Sequence, residues 1–189
     1  MAERATYQSQ VVQKRRAEDL IFLDETSLYT NLVRTRARAL GGARAPGTAP
    51  LQHKRLTILG ALSLKGIAAA MSYRGSADAD VVQVYVEQVL LPQMQPGQTL
   101  VLDNFQAHRG VALRKAVEAA GCTLEFLPRY SPELNPIELA WSKVKTMFRT
   151  AALRSPEALE LALGPLLDRI SESDARGYFA HAGYKLAPD

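Results

Sequence analysis

The chain has 189 residues, 47% of them hydrophobic and 22% charged, with 23 Lys and Arg against 19 Asp and Glu, a formal net charge of +4. That length suits one well-cored domain and is short for two, and the composition excludes a disordered or fibrous chain. A single cysteine, Cys122, excludes a disulfide framework and points to a reducing compartment, and no apolar run is long enough to span a bilayer, so a cytoplasmic protein is expected.

Residues 1–19 are polar and charged without a convincing apolar face, and they read as a flexible lead-in or the end of a preceding helix. Leu20-Ile21-Phe22-Leu23 is a continuous apolar run, the pattern of a strand covered on both faces, and it leads into Asp24-Glu25. Thr26 to Val33 reads as the second strand of a hairpin. Residues 34–55 are rich in Gly, Pro and Ala and carry Arg34, Arg36, Arg38, Arg44, Lys54 and Arg55 without one acid. A charge run of this kind is often only a solvated loop, yet an irregular loop of about twenty residues is uncommon in a compact domain unless it serves binding.

Leu56 to Leu64 and Gly66 to Tyr73 read as paired strands turning at Lys65-Gly66. A helix is expected from about Asp78 to Leu91, with Asp78 and Asp80 in its first turn. Leu100-Val101-Leu102 repeats the pattern of an apolar strand running into an acid, here Asp103. Val111 to Ala120 predicts a helix closed by Gly121, and Thr123 to Leu127 a further strand. After the turn-rich Pro128-Arg129-Tyr130-Ser131-Pro132, Asn135 as N-cap, Pro136 at the first helical position and Glu138 at N3 predict the start of a long helix. Its Ile137, Trp141, Val144, Phe148 and Ala151 form one stripe to be buried. Taken alone, Glu138 is a capping residue where the helix dipole favours an acid. Trailing helices begin at Ser155-Pro156, with Gly164-Pro165 expected to kink or divide the first, and at Asp174.

Strands joined by short turns are antiparallel, and a strand-helix-strand unit is parallel through a right-handed crossover, so the order predicts a mixed α/β sheet. A five-stranded mixed sheet with helices on both faces resembles the ribonuclease-H-like fold. In that fold the first strand, the end of the fourth and the long helix after the fifth each supply a carboxylate, and here those places hold Asp24, Asp103 and Glu138. Acids ending adjacent strands meet at the sheet edge where α/β proteins bind ligands. Three converging carboxylates without a matched cation are costly unless a divalent metal neutralises them, and hard oxygen donors suit Mg²⁺ or Mn²⁺. His53, His108 and His181 are scattered, without zinc-ligand spacing.

The segments Phe22-Leu23-Asp24-Glu25, Val101-Leu102-Asp103-Asn104-Phe105-Gln106-Ala107-His108 and Tyr130-Ser131-Pro132-Glu133-Leu134-Asn135-Pro136-Ile137-Glu138-Leu139-Ala140-Trp141 resemble the DDE transposases. More narrowly, they resemble the bacterial insertion-sequence relatives of mariner. That group has 34 residues between its second and third acids, as lie here between Asp103 and Glu138. The resemblance implies that Asp24, Asp103 and Glu138 are a catalytic triad holding two Mg²⁺ ions, with Mn²⁺ as a substitute. It further implies cleavage of DNA at element ends, strand transfer into target DNA at TA dinucleotides, and a homodimer acting on DNA in the bacterial nucleoid.

It also divides the chain into residues 1–19, the tail of an N-terminal DNA-binding region; residues 20–184, the catalytic domain; and residues 185–189, a C-terminal tail. Complete relatives carry an N-terminal helix-turn-helix region that does not fit into residues 1–19. The chain is therefore expected to be a catalytic half whose helix-turn-helix half is separately encoded or frameshifted, or else a truncated remnant. Arg34, Arg36, Arg38 and Arg44 on the basic loop, His108 five residues after Asp103, and Lys145 and Arg149 on the helix of Glu138 are candidate DNA contacts. Two other functions compete: a catalytically idle DNA-binding or assembly subunit, and a ribonuclease-H-like hydrolase of another nucleic acid. Asn135-Pro136-Ile137-Glu138 disfavours the last.

Overall fold

The computed structural model describes residues 2–48, 50–51, 53–75, 78–104 and 110–187. Among them, β1 (Leu20–Tyr29), β2 (Arg55–Ser63), β3 (Gly66–Tyr73), β4 (Thr99–Leu102) and β5 (Thr123–Phe126) form one sheet in the order β3-β2-β1-β4-β5. β1 runs antiparallel to β2, and β2 to β3; β1 runs parallel to β4, and β4 to β5. The mixed sheet expected from the sequence is present.

Both faces are covered, as the apolar runs require. Leu20, Phe22, Leu56, Ile58, Leu62 and Val101 pack on one face against α4 (Ile137–Ala151), α5 (Pro156–Leu167) and α6 (Glu172–His181). Ile21, Leu23, Leu59, Leu100, Leu102 and Leu124 pack on the other against α2 (Ala79–Tyr85) and α3 (Val111–Ala119). The period of two thus decides which side of the sheet each residue of β1 and β4 serves. No helix among the described residues is long and apolar enough to cross a membrane.

Five expectations are corrected. Leu20 to Val33 is not a hairpin: β1 is a single ten-residue strand that continues through Asp24 and Glu25. The two acids stay in the ladder because β2 backs them, Gly60 opposite Asp24 and Leu59 opposite Glu25. The partner strand follows a long loop instead of a short turn.

Residues 2–19 are docked rather than a loose lead-in. The helix α1 (Ala2–Tyr7) continues as a π turn over Gln8–Val12, which together bury Tyr7 and Val11, and a 3₁₀ turn over Ala17–Asp19 buries Ala17 in the same core. The apolar stripe escaped notice because it is only three residues wide in a charged segment.

Asn135 does not cap α4 with its side chain. Pro136 is already helical (φ −63°, ψ −25°), and Asn135 offers its backbone carbonyl, which accepts from Glu138 N at 3.2 Å. Within α4, Ala140 joins Ile137, Trp141, Val144 and Phe148 in the core, while Ala151 is exposed. Finally, Gly164-Pro165 does not divide the helix: α5 runs through Pro165 as one element. Pro165 lies on the solvent side, where the carbonyl it orphans, on the exposed Leu161, meets water.

Candidate active site

β1 outruns its parallel neighbour. Leu23 pairs with Leu102, the last residue of β4, so Asp24 continues in the ladder beside the point where the chain leaves β4 at Asp103. By alternation both acids belong to the face that carries α4, as Phe22 and Val101 do. Glu138 lies in the first turn of α4, which is held to that face by Trp141 and Val144. The three acids, from two strands and one helix, line one cleft of about 450 Å³.

The remaining wall of the cleft is the link from β5 to α4. Leu127, Pro128, Arg129, Tyr130, Ser131, Pro132 and Asn135 line it, with Asn104 beside Asp103. Tyr130 is a non-glycine residue at φ 54° and is 92% exposed at the rim. Backbone strain of this sort is found where surrounding contacts over-determine the chain, and it clusters at functional sites. Ser131 Oγ donates to Arg129 O at 3.3 Å, and a 3₁₀ turn over Pro132–Leu134 then brings the chain to Asn135.

The lining carries three carboxylates and, among described residues, one cation, Arg129. The donor chemistry suits a hard divalent ion, since carboxylate and amide oxygens predominate and no thiol or imidazole is among the described lining residues. Asn135 is only 5% exposed, and its Oδ1 is buried without a hydrogen-bond partner, an acceptor left for a cation or a donor. No three His, Cys, Asp or Glu side chains among the described residues are drawn together closely enough to hold an ion as they stand. The acids share the cleft without forming a closed cage.

The other residues singled out from sequence fall in different places. Arg34, Arg36, Arg38 and Arg44 are exposed on the loop between β1 and β2, where Leu40 and Leu51 are also almost wholly exposed. Lys145 and Arg149 are half-buried on α4 and do not line the cleft. His108 lies outside the described residues. The sequence reading missed Asn104, Arg129, Tyr130 and Ser131 as lining residues. Their signal was position alone, beside Asp103 or in the turn between β5 and the helix of Glu138.

A sequence profile described as DDE superfamily endonuclease matches residues 19–160. The chain belongs to this family.

The DDE domain also shares its fold with solved mariner transposases, which makes it ribonuclease-H-like. The Mos1 transposase paired-end complex with left transposon end matches with a TM-score of 0.79 at 15% identity, over 96% of this chain and 57% of that one. The Mos1 strand transfer complex gives 0.68 at 18%, over 96% and 55%. The catalytic domain of Mos1 mariner transposase gives 0.65 at 13%, over 98% and 93%. The DDE domain therefore spans little more than half of the chains in the two complexes and nearly all of the isolated catalytic domain. No curated protein matches it by sequence.

Proposed function

We propose that this DDE domain is the catalytic part of a mariner-like transposase, cutting DNA at the ends of its element and joining those ends to target DNA at TA sites. One observation carries the reading: Asp24, Asp103 and Glu138, from three separate elements, line a single cleft. The likeness to Mos1 structures described as paired-end complexes with Mn and with Mg supports DNA ends as substrate and a divalent cation as cofactor.

Asp24, Asp103 and Glu138 are the residues that would hold two Mg²⁺ ions, with Mn²⁺ able to replace them. Bound there, the ions supply Lewis-acid activation of an attacking water or 3′-OH and offset charge on the scissile phosphate. The protein's own work is positional. Asp24 is held rigidly in the ladder, Glu138 is fixed by a helix packed on the same face, and Arg129 offers a guanidinium to a phosphate oxygen. Arg34, Arg36, Arg38 and Arg44, with Lys145, Arg149 and His108, provide DNA backbone contacts. The active assembly is a homodimer that pairs two ends, with end recognition supplied by a helix-turn-helix half encoded upstream or separately. It acts on DNA in the cytoplasm.

The test is Mg²⁺-dependent nicking of DNA by the chain, with and without a supplied end-recognition domain. Asp103→Asn should keep the fold and abolish cleavage, because a neutral amide is a poor ligand for a hard cation. Unchanged cleavage by the variant would overturn the assignment. A wild-type chain that binds DNA but never cuts would instead identify an assembly subunit.

A further inference from the structure

The cleft wall is pinned from the far end of the chain. Arg4 Nε donates to Ser131 Oγ at 2.9 Å, Arg4 Nη2 donates to the Tyr130 carbonyl, and the same guanidinium stands 3.3 Å from a Glu133 carboxylate oxygen. Deeper in, Tyr184 OH donates to the Leu134 carbonyl at 2.8 Å, and it is paired at 2.9 Å with Tyr7 OH. A phenol has one proton to give, so Tyr7 is the donor to Tyr184. Both hydroxyls are buried, and Tyr184 is wedged against Phe22 and Phe179 with ring centroids 5.1 Å and 5.8 Å away.

Two residues of the α1 segment therefore hold four of the five positions from Tyr130 to Leu134, with Tyr130, Ser131, Glu133 and Leu134 gripped directly or through Tyr184. The residue after Leu134 is Asn135, whose carbonyl accepts from the backbone of Glu138. Every tie lies on the short path that sets where Glu138 begins its helix. The left-handed Tyr130, strained by itself, is kept by the guanidinium on its carbonyl.

We infer that Arg4 and Tyr7 are positioning residues for the DDE cleft, acting through Ser131, the Tyr130 carbonyl and the Tyr184–Leu134 relay to hold Glu138 where it can share a cation with Asp24 and Asp103. The inference rests on the metal-dependent reading of the cleft given above. Without the pins the wall has other arrangements open to it, and apparent metal affinity falls by the fraction of molecules left competent.

The experiment measures Mn²⁺ binding to the full chain by electron paramagnetic resonance, together with kcat and KM for Mg²⁺-dependent cleavage of DNA. The variants are Arg4→Ala, Arg4→Lys, Tyr7→Phe and, as a control, Asp103→Asn. Arg4→Ala and Tyr7→Phe should each weaken Mn²⁺ binding about fivefold or more and lower kcat with little change in KM, the pattern of lost competent population. Arg4→Lys should fall with Arg4→Ala, since a single ammonium cannot span the hydroxyl, carbonyl and carboxylate together. If Asp103→Asn binds Mn²⁺ as the wild type does, the metal reading of the cleft itself is wrong. If Asp103→Asn loses Mn²⁺ while Arg4→Ala and Tyr7→Phe bind and turn over normally, the positioning role is overturned. Variants that only melt earlier, with Mn²⁺ affinity and kcat intact, likewise show a structural prop and overturn it.

Discussion

Trp141 stands so close to Gly60 that a methyl group does not fit between them. A Cβ at Gly60 would lie 2.5 Å from Trp141 Cη2 and 2.9 Å from Cζ2. Gly60 is the ladder partner of Asp24, and Trp141 follows Glu138 by one helical turn. The contact thus sets how near the helix of one acid comes to the strand of another.

Gly60→Ala should destabilise the domain by about 1–3 kcal/mol, the usual cost of overpacking a fixed core. It should also reduce metal-dependent cleavage by displacing α4. Trp141→Phe added to Gly60→Ala should recover part of the loss, a non-additive coupling expected of residues in contact. Thermal unfolding of the two single variants and the double variant measures it. Strict additivity would mean that the indole does not set this spacing.

Divalent ions should stabilise the wild-type fold. An ion at ten times its Kd adds about 1.4 kcal/mol by mass action. Asp103→Asn should lose most of that gain while melting higher than wild type in metal-free buffer, because one of three like charges is gone. Thermal scans with and without Mg²⁺ read both effects. An identical Mg²⁺ shift in wild type and variant would remove Asp103 from the binding site.

The basic loop should govern the salt dependence of DNA binding. Each phosphate contact contributes about −0.9 to the slope of log affinity against log salt on duplex DNA. Arg34, Arg36 and Arg38 are exposed and are not part of the core. Replacing all three with Ala should flatten the slope by roughly two to three units and leave the thermal midpoint unchanged. An unaltered slope would take DNA contact away from these three side chains.

Acid should selectively weaken the seam between α4 and α6. Lys143 Nζ donates to Asp174 Oδ2 at 2.6 Å, and Ser171 adds a capping box on the same carboxylate. The Lys143 bond first, then those from Ser171, hold the Asp174 carboxyl down at about 2. A depressed carboxyl contributes stability that is complete above its unfolded value near 3.9 and is lost as pH falls through the folded one. Discounted for solvent screening of a partly exposed pair, the contribution is about 1 kcal/mol. The stability gap between wild type and Asp174→Asn in urea should therefore be present at pH 6 and close toward pH 2. A gap independent of pH would mean that the capping geometry, not the charge, is what counts.

The acids were legible because each ends or opens a recognisable apolar pattern: Leu20 to Leu23, Leu100 to Leu102, and the stripe behind Ile137. What local pattern did not reveal was pairing. Asp24 read as the end of a strand because two acids interrupt an apolar run, yet the backing of β2 carries the strand through them to Tyr29. Asn135 read as a cap because its type and spacing suit one, but Pro136 already supplies the helical turn, and the side-chain Oδ1 is left buried without a hydrogen-bond partner. Arg4 and Tyr7 were invisible as site residues because their partners lie more than a hundred positions away. Contacts of that range leave no trace in periodicity.

The loop between β1 and β2 is hung on a hairpin that closes without it. Beyond the last ladder pair, Tyr29 with Arg55, Thr30 N donates to Lys54 O at 3.1 Å and Lys54 N to Thr30 Oγ1 at 3.0 Å. Arg154 Nη1 then binds the carbonyls of Thr30 and Leu32 at 3.1 and 2.9 Å. The neck thereby closes at Thr30 and Lys54, with Leu32 just inside it packed against the core. The length and charge of the loop beyond Leu32 are free to drift through descent, or to be exchanged by design, while the carboxylates stay where the sheet puts them. On the proposed function, grip on DNA and the geometry of cutting would in this way be separately heritable.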